Sequence, residues 1–156
     1  MTRSTTDRDT ELALRLQGDW GLVSWTIEYP DSGRSTQPFG ADAEGLLMYS
    51  AGGHMSAILQ TRNRPKLSRA NLAVVPDAEK AAAFGSYLQY AGTWTVQDGK
   101  VLHTVRFAMN PNLTGTVQVR AIGFEGDLLV LTAEEPLENA GTLRCHRIVW
   151  TRIAAR

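Results

Sequence analysis

The stretch Tyr90-Ala-Gly-Thr-Trp94-Thr-Val-Gln-Asp98-Gly99-Lys-Val-Leu-His103-Thr-Val-Arg-Phe107 decides the fold. Apolar and aromatic residues alternate with polar ones on both sides of Asp98-Gly99. Asp-Gly between alternating runs is the strongest short hairpin signal, because both residues tolerate the positive φ that a tight turn requires. With those two as the loop, Trp94 lies opposite His103, Val96 opposite Val101 and Tyr90 opposite Phe107, with Val105 on the same side. The reverse side carries Thr93, Thr95, Thr104 and Arg106. The apolar set belongs inside and takes His103 with it, so an imidazole is expected between aromatic rings.

Other hairpins extend the pattern in both directions. Thr116–Glu125 and Leu128–Ala133 flank Gly126-Asp127, and Phe124 and Ile122 with Leu129 and Leu131 form the bulkier face. Placing that face inside drives Gln118 and Arg120 toward the interior. A buried arginine needs an acid such as Glu28 or backbone carbonyls, because an unpaired internal charge costs several kcal/mol. Upstream, Gly45–Ser50 and His54–Gln60 flank Ala51-Gly-Gly53, and Leu47, Tyr49, Met55, Ala57 and Leu59 share the expected inner face. Trp20–Tyr29 reads as the first strand, closed by the polar turn segment from Pro30 to Thr36. In the last strand, Thr142–Ile153, neither alternate set is clearly apolar, so its inward face stays open.

Two helices interrupt the strands. Thr10–Gln17 can form about two turns with Asp9 or Thr10 as N-cap, and a longer stretch from Pro76 to about Tyr90 has Asp77 to cap it and Ala81, Phe84 and Leu88 on one face. A parallel sheet would need a helix between most strands. The expected fold is therefore all-β: an eight-stranded antiparallel up-and-down barrel with a short N-terminal helix and one helix inserted between strands three and four. Such a barrel is just wide enough to be filled by side chains or to hold one small ligand.

Composition bounds the partners. The 156 residues read as a single domain over 1–156, with 1–9 expected to be disordered. Sixteen basic and sixteen acidic side chains cancel, which removes the cationic field that nucleic-acid binding requires. No run of apolar residues is long enough for a signal or a membrane span, so a cytoplasmic protein is expected. Cys145, the single cysteine, reads as a small strand residue. Nothing resembles a phosphate loop or a nucleophile elbow, so no cofactor is expected, and His54, His103 and His146 lack metal-site spacing. The basic loop with Arg62, Arg64, Lys66 and Arg69 is either a solvated surface loop or a rim that steers an anionic ligand or an acidic carrier protein.

Several segments, taken together in order and spacing, resemble a known family. They are Gly18-Asp-Trp20-Gly-Leu-Val-Ser-Trp25, Gly45-Leu-Leu-Met-Tyr-Ser-Ala-Gly-Gly-His-Met-Ser56, Glu79-Lys-Ala-Ala-Ala-Phe84, His103, Asn110-Pro-Asn112 with Gln118-Val-Arg120, and Val149-Trp-Thr-Arg152. From about residue 17 to 153 the chain is similar to the lipocalin-like domain family of bacteria and fungi. The resemblance implies a small barrel with a central cavity, in which Trp20 packs at the closed end under an arginine of the last strand, Arg152 or Arg147. It further implies apolar small-molecule ligands and, in some relatives, cofactor-independent cyclase or isomerase activity.

Function follows from sites rather than folds. In the leading expectation the protein is a cofactor-independent cyclase, isomerase or dehydratase acting on a small apolar, oxygen-bearing metabolite of polyketide or terpenoid type. His103 would move a proton, Tyr90 would supply a phenolic donor, and Arg120 with Gln118 would hold a developing oxyanion. Tyr49, Met55, Trp94, Val105, Phe107, Gln118, Ile122 and Leu131 are the ligand-binding candidates. The alternative is a carrier that sequesters such a molecule unchanged, with His103 shaping the pocket. Either way the partner is a small apolar or aromatic ligand, with no membrane and no nucleic acid involved, and a homodimer is compatible with both.

Overall fold

The computed structural model describes residues 4–137 and 141–154. Helix α1 (Thr5–Leu16) leads into β1 (Gly18–Tyr29), the short β2 (Arg34–Thr36), β3 (Glu44–Tyr49) and β4 (His54–Gln60). A 3₁₀ turn, Leu72–Val74, and helix α2 (Asp77–Gly85) precede β5 (Tyr87–Gln97) and β6 (Lys100–Ala108), and a second 3₁₀ turn, Pro111–Leu113, precedes β7 (Val117–Glu125), β8 (Leu128–Pro136) and β9 (Leu143–Arg152). Every neighbouring pair is antiparallel, and β1 pairs with β9 from Trp20↔Arg152 to Glu28↔Cys145, which closes eight strands into a barrel.

The ninth strand is β2, which pairs only with the last residues of β1, Ile27 to Tyr29. Arg34–Thr36 was expected to be turn. Because it forms a strand, α2 follows the fourth strand and not the third. That helix is also shorter than expected, ending at Gly85, and Tyr87 already pairs with Gln60. Its face is not buried: Phe84 stands exposed.

Helix α1 starts at Thr5 rather than Thr10, because the Ser4 hydroxyl accepts from the Asp7 amide and caps it there. The stretch 5–9, expected to be disordered, is thus helical. Its Asp9 carboxylate accepts hydrogen bonds from the amides of Asp98 and Gly99 at 2.7 and 2.9 Å, tying α1 to the β5–β6 turn. At its other end Leu16 is fully buried, and its carbonyl accepts from the Trp20 indole. Arg152 lies over the Trp20 ring at 4.1 Å and donates to the carbonyls of Arg15 and Gln17, two of the acceptors a helix C-terminus leaves free. Arg152, not Arg147, is therefore the arginine over Trp20, and Arg147 pairs with Glu125. One end of the barrel is plugged.

The decisive hairpin folds as its sequence requires. Asp98 and Gly99 take φ of 52° and 73°, Trp94 faces His103, and Val96 faces Val101. Further along, the register shifts: Ala91 pairs with Phe107 and Gly92 with Val105, which leaves Arg106 as an extra residue. A bulge reverses the alternation beyond it. Phe107, expected inside opposite Tyr90, is consequently 68% exposed, and Tyr90 faces Ala108. Gly92 permits the bulge, since a Cβ there would stand 1.9 Å from the Thr104 carbonyl oxygen. A second bulge at Val23 in β1 turns Trp25 and Ile27 inward and Glu28 out to solvent, so Glu28 is no partner for Arg120.

The inner faces expected for β3, β4, β7 and β8 are the inner faces of the structure. Leu47, Tyr49, Met55, Ala57, Leu59, Leu129 and Leu131 are buried, and Ile122 and Phe124 pack against them. Gly92→Ala is expected to destabilise the protein by about 1–3 kcal/mol, the usual cost of overpacking, because the obstructing atom is backbone. Equilibrium urea unfolding checks this, and a loss below about 0.5 kcal/mol would mean that the bulge relaxes freely.

Candidate functional site

Opposite the plugged end the barrel opens into a cavity of about 780 Å³. Its walls are mostly apolar: Leu47, Ala57, Leu59, Leu88, Leu131, Ile148 and Trp150 contribute from five strands. Polar groups enter at three levels, which is the usual economy of a small-molecule site, where a few placed polar groups orient a largely apolar ligand.

At the floor lies His103, 1% exposed and the single buried residue of polar or charged type among those described. Its Nε2 is 2.7 Å from the Tyr49 hydroxyl and its Nδ1 is 2.8 Å from the Tyr90 hydroxyl. A neutral imidazole donates from one nitrogen and accepts at the other. Tyr90 and His103 line the cavity, whereas Tyr49 stands behind them against Trp94. The Tyr49 hydroxyl has no other hydrogen-bond partner among the described residues. If Nε2 carried the proton, the Tyr49 O–H would be left buried without an acceptor, at a cost of about 1–3 kcal/mol. The satisfied arrangement has Tyr49 donating to Nε2, Nδ1–H donating to Tyr90, and the Tyr90 O–H free to donate into the cavity.

Burial, and secondarily the positive charge of Arg120, lowers the His103 pKa from 6.5 to about 3. The same desolvation raises Tyr90 and raises Tyr49 further. All three groups are neutral at pH 7.

At the waist, the inward face of β7 carries Gln118 and Arg120, with Gln118 opposite His103 of β6, and Thr116 stands just ahead of the strand. Thr116 donates to the Leu113 carbonyl, Gln118 Nε2 donates to the Thr116 hydroxyl at 2.9 Å, and Gln118 Oε1 accepts from Arg120 Nη2 at 3.4 Å. Arg120 Nη1 donates to the Val119 carbonyl. These acceptors are all neutral, and Arg120 forms no ion pair among the described residues.

At the mouth, β9 resolves the face that the sequence left open: Arg144, His146, Ile148 and Trp150 line the cavity. Arg144 pairs with Glu135 at 2.7 Å, and His146 Nε2 lies 2.8 Å from the same carboxylate oxygen. Trp25, whose indole can only donate, gives its N–H to His146 Nδ1 at 3.2 Å, so the His146 proton sits on Nε2 and points at Glu135. Burial lowers the His146 pKa despite that carboxylate.

Of the residues singled out from sequence, the structure brings Tyr90, His103, Gln118, Arg120 and Leu131 together around this cavity. Tyr49, Met55, Trp94 and Val105 are buried behind or below its surface. Ile122 borders a separate groove beside α1, and Phe107 is outside altogether. The mouth group of Trp25, Glu135, Arg144 and His146 was not anticipated. Trp25 owes its inward position to the Val23 bulge, which leaves no mark in the alternation. No cluster of three or more metal-ligating side chains occurs among the described residues.

A closed eight-stranded antiparallel barrel, plugged by a helix and an arginine–tryptophan stack and hollow at the other end, is matched by the model of the lipocalin-like domain over residues 17–153. The chain belongs to the lipocalin-like domain family. One curated relative is the 4'-hydroxy-3'-methoxypropiophenone carrier protein ppsC of Aspergillus oryzae, 33% identical over 85 residues that cover 49% of this chain and 77% of that protein. No solved structure matches the chain significantly. No described helix is long and apolar enough to cross a membrane.

The depressed His103 pKa makes the fold acid-sensitive. Below 6.5 the unfolded chain takes up a proton that the folded one refuses, so stability falls with pH from about 6.5 down to about 3. The slope approaches about 1.4 kcal/mol per pH unit. His103→Gln, which removes the titrating group, is expected to flatten that part of the curve in urea unfolding between pH 7 and 4.5. An unchanged slope would show that His103 titrates normally.

Proposed function

We propose that this protein is a binding and carrier protein for a small, largely apolar molecule with an oxygen-bearing aromatic end, and that it does not transform its ligand. The occupancy of both His103 nitrogens carries this reading. A general base needs a lone pair facing the substrate and a pKa near the working pH. In the satisfied arrangement the only acceptor lone pair of the imidazole is taken by Tyr49, and protonation is disfavoured down to about 3.

A relay through the triad fares no better. If Tyr90 gave its proton to a substrate, Nδ1 would replace it and Tyr49 would replace that, ending in a buried Tyr49 phenolate that desolvation opposes. In the other direction, a proton offered to the Tyr90 oxygen cannot pass on to the imidazole, because Nδ1 already carries one. The floor is thus a donor of one directed hydrogen bond and a poor proton shuttle. A carbonyl, ether or phenolic oxygen is what such a donor orients. The relative from Aspergillus oryzae, named as a carrier of a phenolic aryl ketone, supports the same class of ligand here. The cyclase, isomerase or dehydratase alternative asks His103 to do what its surroundings oppose.

Incubation with excess 4'-hydroxy-3'-methoxypropiophenone followed by mass spectrometry separates the readings. Retention of up to one unchanged molecule per chain is expected. Tyr90→Phe should weaken retention about tenfold, the equivalent of one hydrogen bond of about 1.4 kcal/mol. Consumption of the compound beyond the protein's own molarity, giving a product of equal mass or of mass lower by one water, would mean an enzyme.

A further inference from the structure

We propose that the cavity selects a weakly acidic phenol or enol in its ionised form, with the unpaired Arg120 guanidinium as counter-ion and the Tyr90 hydroxyl as hydrogen-bond donor to the same oxygen. The inference rests on the binding reading above and adds the charge state of the ligand.

The groups facing the cavity are Tyr90 from β5, His103 from β6, Arg120 from β7, Glu134 and Glu135 from β8, and Arg144 and His146 from β9. Glu135 is held by Arg144 and His146, and Glu134 is exposed at the rim. Tyr90 and His103 are neutral, and His146 accepts from the Trp25 indole. Among the described residues Arg120 therefore remains as a half-buried cation with no acid paired to it, and its charge is felt at His103, Tyr49, Tyr90 and His146. Burying a cation without an anion is costly. Nevertheless the side chain is not loose: the array from the Leu113 carbonyl through Thr116 and Gln118 holds it in place with neutral acceptors. A cation kept pre-oriented and uncompensated in a cavity is a place for an anion supplied from outside.

The chemistry narrows that anion. Arg120 Nη1 and Nη2 each already give one N–H to a protein acceptor, which leaves three of the five guanidinium donors. The remaining N–H groups and the single Tyr90 donor suit one anionic oxygen. The walls are mostly aliphatic and aromatic, so an anion whose charge is spread over a ring or an enone loses less on leaving water than a localised carboxylate does. Phenols with an electron-withdrawing group opposite the hydroxyl, and enolised dicarbonyls, meet both demands. On binding, the phenol proton leaves to solvent.

The test uses 4-nitrophenol, whose anion is yellow and whose neutral form is not, together with 4-nitroanisole as its uncharged counterpart and 4-nitrobenzoate as a carboxylate. At a pH where free 4-nitrophenol is mostly neutral, the bound dye is expected to show the anion band, with its ionisation moved down by about one pH unit, a tenfold preference for the anion. 4-Nitroanisole should bind at least about tenfold more weakly. Arg120→Gln should abolish the band while retaining the far-UV circular dichroism of the barrel, and Arg120→Lys, which keeps the charge, should keep it. Binding of 4-nitrophenol and 4-nitroanisole with equal affinity and no anion band would overturn the charge-state inference and leave the carrier reading standing. So would tighter binding of 4-nitrobenzoate than of 4-nitrophenol. Failure of all three probes and of 4'-hydroxy-3'-methoxypropiophenone to bind would remove both.

Discussion

The pairing of β1 with β9 is the constraint on which everything else depends. An open eight-stranded antiparallel sheet would present two edges and one unsatisfied apolar face. Closing it removes the edges and turns that face into an interior. Closure also fixes which end can be blocked: Trp20 and Arg152 are register partners at the first contact of the seam, and their stack meets the end of α1. The cavity and its single mouth are consequences of a plug at one end only.

Inside, the polar groups are graded. The floor is neutral, because desolvation outweighs every attraction that would charge the Tyr49–His103–Tyr90 chain. The mouth is neutralised by pairing, with Glu135 shared between Arg144 and His146. Deeper in, Arg120 is a cation with no ion pair among the described residues. A molecule entering this barrel meets a paired rim, a single guanidinium and a hydrogen-bond donor set among apolar walls. That order gives a ligand with one polar end a preferred direction of insertion.

Much of this was legible in the sequence where alternation was uninterrupted. Gly126-Asp127 sets a register that the structure keeps, Asp98-Gly99 one that it keeps as far as Gly92, and bulk alone was enough to send Gln118 and Arg120 inward. Two insertions escaped it. The extra residues Val23 and Arg106 each reverse the alternation beyond them, which moves Trp25 into the cavity, Glu28 out of it, and Phe107 to the surface. A strict period of two cannot reveal a bulge, since the residues on either side keep their own alternation. The mouth was hidden for a second reason. Arg144 and His146 look like surface residues until Glu135 is placed opposite Arg144, and that pairing depends on β8 extending to Pro136, beyond the apolar run that marked it. The N-terminal helix was underestimated because Ser4 caps it one turn ahead of the apolar pattern.

The interlock between α1 and Arg152 has a consequence for the order of assembly. The carbonyls that end the first helix wait for a guanidinium on the last strand, and the Asp9 carboxylate waits for a turn some ninety residues onward. Contacts between distant parts of a chain form slowly, because the loop entropy must be lost before the contact returns anything. The hairpins from β3 to β8 can form locally, but the plug and the seam close only after β9 has arrived. A nascent chain lacking that strand would carry Trp20 with nothing above it, and the hollow interior would come into being in the final step of folding.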